Sequence, residues 1–377
     1  MNILLHDNNA WKRFAPLTLT RPVGDLRMGV LTNTERWQKF LPNATIFFQT
    51  EEYLSAKFPS VKDPDLIINA CLIPSKAIME VIVQLDKNDC LIHKNQWLAK
   101  KGSGTNSVQW NDFCLIIDQR WHLYQFNEIA LKQDVEFITA GRTSQQLSSS
   151  NTIIGDVSSI FLEEGAKVEA AILNASTGPI YVAKDAEIME GSIVRGPLAM
   201  LEHSALKLGA KVYGATTLGP HCKVGGEVNN VIFQAYSNKG HDGFLGNALI
   251  GEWCNLGADT NSSNLKNNYG NISTYSYETG SEVETDLQFM GVCMGDHSKC
   301  GINTMFNTAT VVGVSSNVFG AEFPSKFIPS FSWGGQSFVP FKFEKAVEYS
   351  NNMMERRGLQ LTEAEIKILR HIADTTK

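Results

Sequence analysis

Residues 182–224 read VAKDAEIMEGSIVRGPLAMLEHSALKLGAKVYGATTLGPHCKV, and every sixth residue of this stretch is aliphatic or methionine. The series runs Val182, Ile188, Val194, Met200, Leu206, Val212, Leu218, Val224. Small side chains recur four residues later, at Ala186, Ser192, Ser204, Ala210, Thr216 and Cys222, with Leu198 the exception. The chain is 43% hydrophobic, so eight apolar hits in eight is roughly a one-in-a-thousand coincidence. A period of six fits neither a helix at about 3.6 nor strand alternation at 2. It fits a three-sided prism in which each hexad supplies one short strand and one turn. The large residue points inward and the small one lies near a corner. Coils stack about 4.8 Å apart, pairing the backbone from coil to coil. Gly209, Gly219, Gly225, Gly251, Gly257 and Gly313 suit corners because glycine tolerates positive φ. An ordinary β-sandwich also needs many short strands, but nothing in it imposes this period.

The rhythm continues at Ile250 and Leu256, then at Met294, Cys300, Phe306, Val312 and Val318. Ile154, Ile160, Ala166 and Ile172 suggest an earlier, weaker start. The phase breaks between Val224 and Ile250, 26 residues apart, and between Leu256 and Met294, 38 apart; each is two over a multiple of six. Extra residues in a solenoid are expected to form loops on its face, where function concentrates. The polar stretch from Thr260 to Ser276 is the longest candidate.

Residues 1 to about 145 lack the hexad rhythm. Met1–Asp7, Thr45–Phe48, Leu66–Ile68 and Phe113–Ile117 read as strands, and Glu35–Leu41 and Lys76–Leu85 as helices. That is a mixed α/β domain. The Ser/Thr/Gln-rich stretch Arg142–Thr152 reads as a linker. A helix is expected over Phe343–Arg357, ended by Gly358, and Thr362 to Glu365 reads as the capping box of another. The expected organisation is an α/β domain over 1–145, a β-helix over 150–335 and a C-terminal helical segment over 338–377, read as a packing or oligomer-stabilising element.

Net charge is −6, which argues against a nucleic-acid partner. No apolar run approaches the ~20 residues that span a bilayer, and the N-terminus lacks the pattern of a signal peptide. Seven cysteines without C-x-x-C spacing fit reduced thiols in the cytoplasm, and no metal site is expected.

At the first phase break stands Gly240-His241-Asp242-Gly243-Phe244-Leu245-Gly246-Asn247-Ala248-Leu249-Ile250-Gly251, followed by Asn255-Leu256-Gly257-Ala258-Asp259-Thr260 and Asn264. Over about 25 residues with the spacing intact, this resembles the acetyltransferase half of the bifunctional N-acetylglucosamine-1-phosphate uridylyltransferase/glucosamine-1-phosphate acetyltransferase family. Asn-Leu-Lys-Asn-Asn-Tyr at 264–269 and Gly-Asp-His-Ser-Lys at 295–299 resemble a divergent bacterial branch of it. The resemblance implies a left-handed parallel β-helix, a homotrimer with sites between neighbouring prisms, and acetyl-CoA as co-substrate for an amino-sugar phosphate.

It also implies residue roles. An amine must lose a proton to attack a thioester, and an imidazole, ordinarily titrating near pH ~6.5, suits that task. His241 takes the place of the family's base, with Glu227 as its supporting carboxylate. Asn255 and Asn264 match positions that hold the sugar. Arg195, Lys223 and Lys239 are candidates for the substrate phosphate. Phe244 and Leu265 replace family tyrosines, and the family's phosphate-binding cations have no clear counterpart, which leaves the identity of the sugar open.

Phe14-Ala15-Pro16-Leu17-Thr18-Leu19-Thr20-Arg21-Pro22 and Asp65-Leu66-Ile67-Ile68-Asn69-Ala70-Cys71 resemble segments of sugar nucleotidyltransferases. Val23 stands at the lysine position and Cys71 at the metal-binding aspartate position, and the glycine-rich loop is missing. Arg21 and Arg27 are the candidate nucleotide-binding residues, with UTP and Mg²⁺ as the implied co-substrate and cofactor if this domain is active. Two alternatives stay open: a nucleotidyltransferase whose β-helix only trimerises it, and a non-catalytic sugar-nucleotide-binding scaffold.

Overall fold

The computed structural model describes residues 1–376. It divides into two compact units, residues 1–26 with 31–120, and residues 27–30 with 121–377. The helix Asn127–Thr139 belongs to the solenoid unit because its buried Asn127 donates to Ala215 O (2.9 Å) and Thr217 Oγ1 (3.2 Å) on a solenoid wall.

The first unit is built on a six-stranded sheet. Asn2–His6 is flanked by Thr45–Gln49 and Leu66–Asn69, all parallel, and Gln96–Lys100, Asp89–His93 and Asn106–Gln109 extend the sheet. The inner strands read as apolar runs because both faces are covered. Helices form at Asn33–Phe40, where Thr32 and Glu35 make a capping box, and at Lys76–Gln84, where Ser75 caps.

The second unit is a left-handed parallel β-helix with walls of eight, nine and ten strands, followed by two C-terminal helices. Registers such as Met200↔Leu218, Leu206↔Val224 and Val194↔Val212 stack like residues on like, and these six side chains form part of one buried core. Ser204, Ala210, Thr216 and Cys222 are buried at the corners beside them. We call the wall containing Lys211–Tyr213 the first, that containing Thr216–Leu218 the second, and that containing Lys223–Val224 the third.

Two parts of the expected phase are corrected. Ile154 and Ile172 point outward, while Leu162, Val168 and Leu173 fill the core. The early coils are longer, for Leu162 pairs with Val182 and Leu173 with Val194, so counting by six drifts out of register. The break after Val224 is not a two-residue insertion. The inward residues are Val224, Val228, Phe233, Lys239, Leu245 and Ile250, so the coil is tightened by four residues over five steps. The second break is a true insertion. It leaves the prism after Ser262, forms a hairpin of Ser273–Ser276 with Ser281–Glu284, and returns at Cys293.

Candidate functional site

The corner from second to third wall is turned by residues in left-handed backbone, with φ of 54° at Asp185, 57° at His203, 60° at His221, 53° at Tyr236 and 58° at Trp253. Left-handed φ at non-glycine residues costs energy. Here the side chains recover some of it by stacking. His203 on His221 (4.8 Å), His221 on Tyr236 (4.9 Å) and Tyr236 on Trp253 (4.2 Å) form a column of rings. The opposite corner, from third to first wall, carries Gly240, His241, Asp242 and Gly243 in the tightened coil.

Between these corners, on the outer face of the third wall, lies a cavity of about 650 Å³. Tyr236 and Trp253 line one side and His241, Gly257 and Ala258 the other. Asn238, Asn255 and Lys299 rise from the wall between them, and the pairings Lys223↔Asn238, Asn238↔Asn255 and Asn255↔Lys299 put them on consecutive coils. Asn352, Met353, Arg356 and Arg357, from and just beyond the helix Phe343–Glu355, close the cavity. The C-terminal segment, expected to be a packing element, thus also supplies cavity wall.

The charge of this lining is one-sided. Lys207, Lys223, Lys299, Arg356 and Arg357 are cations, and no carboxylate lines the cavity among the described residues. Crowding shows in the titration of Lys223, which is lowered by burial and then by Arg357, Lys207 and Arg356. Lys299 is lowered by burial and donates to His297 O at 3.0 Å. His241 is exposed with its imidazole at the cavity edge. Lysine and arginine side chains of this kind can hold a polyanion, and an imidazole can take up a proton.

The structure brings His241, Asn255 and Lys223 together and leaves the other expected residues elsewhere. Glu227 sits on the first wall, where Tyr213 Oη donates to its carboxylate at 2.6 Å, in a separate hollow shared with Arg195. That hydrogen bond is with the tyrosine rather than with His241, and the exposed Arg195 faces the same hollow. Asn264 donates to Asn247 Oδ1 at 2.8 Å at the root of the insertion. Lys239 is 1% exposed and points into the prism, so it is not placed to touch a substrate phosphate. Its place in the inward column explains this: Val224 precedes it in register.

Arg356 and Arg357 directly follow the helix Phe343–Glu355, and nothing in the local sequence distinguishes an anion-binding pair there from an ordinary basic helix end. Asn238, also in the lining, is a neighbour of Asn255 across coils, 17 residues away, a spacing that becomes visible only once the coil length is known.

His297, at the ring-bearing corner, is buried, and its titration is pushed down to about 4, chiefly by burial. Its Nδ1 has no hydrogen-bond partner, so it remains a neutral core imidazole.

In the first unit, Asp7 follows the strand Asn2–His6. It is buried, accepts from Val23 N (3.0 Å) and Thr50 Oγ1 (2.6 Å), and burial raises its titration to about 7. Arg21 is buried and lies 3.9 Å from Asp25. Arg27 belongs to the solenoid unit, where it donates to Gln234 O (3.3 Å) and Val30 O (2.5 Å). Its guanidinium is committed to backbone carbonyls in the interior, which corrects its expected role as a phosphate grip. Cys71 is buried and its thiol is driven far upward by burial, so it stays protonated.

Residues 3–143 match a family model described as sugar nucleotidyl transferase, and the N-terminal domain is nucleotidyltransferase-like. No curated protein matches the chain at a significant level. Among solved structures, the chain is similar to the polySia specific acetyltransferase NeuO, at 12% identity over 51% of this chain and 87% of that one, with a TM-score of 0.29. It is also similar to the UDP-N-acetylglucosamine acyltransferase from Campylobacter jejuni, at 15% identity over 62% and 97%, TM-score 0.24. LpxA, a UDP-N-acetylglucosamine acyltransferase from Bacteroides fragilis, is 11% identical over 62% and 98%, TM-score 0.27.

Proposed function

We propose that the protein transfers an acetyl group from acetyl-CoA to the amine of an amino-sugar phosphate of the glucosamine-1-phosphate type, at the cavity on the third wall. The observation that carries this reading is the pairing of the exposed His241 with five cations, and no carboxylate among the described residues, around one cavity. Coenzyme A brings several phosphate charges and a sugar phosphate brings another, and Arg and Lys clusters are the side chains that hold them.

In this reading His241 accepts the proton as the amine nitrogen attacks the thioester carbonyl carbon. The tetrahedral intermediate collapses with cleavage of the carbon–sulfur bond. The proton returns from the imidazolium to the leaving thiolate, giving amide and free thiol. Asn255 lies in the same cavity to orient the sugar. Neighbouring prisms of a homotrimer would complete the site. The test is thiol release from acetyl-CoA and glucosamine-1-phosphate by the purified protein. Turnover is expected, and an equal rate in His241→Ala removes His241 from the mechanism.

A second reading rests on the family match at 3–143: the first domain joins a sugar-1-phosphate to a nucleotide from UTP, the product being a UDP-N-acetylglucosamine-type compound. The donors at the expected metal position do not fit Mg²⁺, which prefers oxygen ligands. Cys71 offers a buried protonated thiol instead, and no step through a metal is derived. Pyrophosphate release from UTP and a sugar-1-phosphate, with and without Mg²⁺, tests this reading.

A further inference from the structure

The inward column of the third wall runs Val168, Ile188, Leu206, Val224, Lys239, Leu256, Cys300 and Val318, so one lysine stands among apolar side chains. A charge in such a place is costly unless its hydrogen-bonding capacity is met. Here it is met fully. Nζ donates to Gly225 O (3.2 Å), His241 O (2.9 Å) and Asp242 O (3.2 Å), three acceptors for three N–H bonds. Gly225 belongs to the corner of the preceding coil, and His241 and Asp242 to the corner at the cavity. The corner loop has Gly240 before His241 and Gly243, with φ of 113°, after Asp242. Glycines on both sides loosen this backbone, which coil pairing holds at Asp242 O, accepting from Asp259 N (3.1 Å), and at Gly243 O, accepting from Glu227 N (3.2 Å). An ammonium beneath it, bonded to its two central carbonyls and to the coil below, restricts it further.

We infer that Lys239 is a positioning residue, a core ammonium that fixes the backbone of His241 and so sets where the imidazole stands in the cavity. The inference rests on the reading of His241 as the base. An aliphatic residue would suit the column as well as its neighbours do, so the lysine serves the loop more than the core. The ammonium also titrates unusually low, at about 8, because burial outweighs the opposing influence of Asp242, Asp259 and Cys300. The loop accordingly loses part of its anchor within an accessible pH range.

Two measurements test this on the full-length protein. In Lys239→Met, a near-isostere for the column, amide hydrogen exchange of residues 240–244 is expected to quicken about tenfold or more while exchange in the coils at 194–218 stays unchanged. In the thiol-release assay kcat is expected to fall by roughly 10²-fold, the scale of a small misplacement of a reacting group, with KM for acetyl-CoA little altered. Wild-type activity is expected to decline above about pH 8 as the ammonium loses its proton, and Lys239→Met is expected to lack that decline. Lys239→Gln, which keeps some donors, is expected to fall between the two. Unchanged exchange at 240–244 in Lys239→Met overturns the inference whatever the activity. Quickened exchange with wild-type kcat and pH profile also overturns it, because a looser loop would then not matter. If wild-type protein shows no acetyl transfer but exchange quickens, the assignment of function fails and the anchoring role stands.

Discussion

The coils before Val224 and those after it solve the same packing problem differently. In the first set, once the longer early coils give way at Val182, rungs repeat with a constant step, and aliphatic residues or methionine fill the three inward columns as far as Val224. In the second, steps shorten, a lysine enters the core, and the corner it supports carries an imidazole toward a cavity. The regular part gains stability from uniform burial, and the irregular part gives up some uniformity to aim a side chain. Function is drawn from the less regular end of a structure as a general matter. Here the departure can be located to the shortened steps between Val224 and Ile250.

That contrast can be broken most directly at His241. His241→Ala is expected to lower acetyl transfer by roughly 10²-fold or more, the usual contribution of a general base, while leaving thermal stability near wild type. A change of equal size in both activity and melting temperature would mean that the corner is structural after all. The cation wall comes next. Arg356→Ala with Arg357→Ala is expected to raise KM for acetyl-CoA by roughly 10- to 100-fold, in line with the loss of charge-assisted hydrogen bonds, with a smaller effect on kcat. Steady-state kinetics at two ionic strengths check it, since the wild-type KM should rise with salt and that of the variant much less.

In the regular coils the expected cost is stability alone. Leu206→Ala opens a gap in a packed column and should cost about 2–5 kcal/mol in chemical denaturation, with kcat unaffected in the protein that remains folded. The smallest effect sharpens the comparison from the other side. Lys239 titrates near 8 in the folded protein and near 10.5 when unfolded. Between those values the unfolded chain binds more protons, so stability should rise as pH rises from about 8 toward 10.5. Below pH 8 the full cost of burying the charge remains. In Lys239→Met this rise should be absent from melting curves taken across that range.

Much of the solenoid was legible because one column of aliphatic residues repeats with a fixed step, and burial of that column is what the fold requires. His241 and Asn255 were singled out by the resemblance of residues 240–264 to an acetyltransferase segment, and both line one cavity. The coil length at the site was not. A shortening by four residues and an insertion by two leave the same remainder on division by six, so counting alone could not separate them. Lys239 was misread for the same reason: a lysine in a functional segment reads as a surface contact unless its register is known. Arg356 and Arg357 were out of reach of local pattern, since only the tertiary path of the C-terminal helix brings them to His241's cavity. That the helix Asn127–Thr139 packs on a solenoid wall through Asn127 was likewise beyond local pattern, since it depends on the tertiary path.

The stacked rings at the second-to-third corner offer the molecule an optical signature. Trp253 and Tyr236 lie 4.2 Å apart and nearly parallel, on adjoining coils at the edge of the cavity. Transition dipoles held that close interact, so the near-ultraviolet circular dichroism and fluorescence of Trp253 report on whether those two coils keep their spacing. A ligand entering beside them, or a loosening of the tightened coil, becomes visible as a spectral change without any added label.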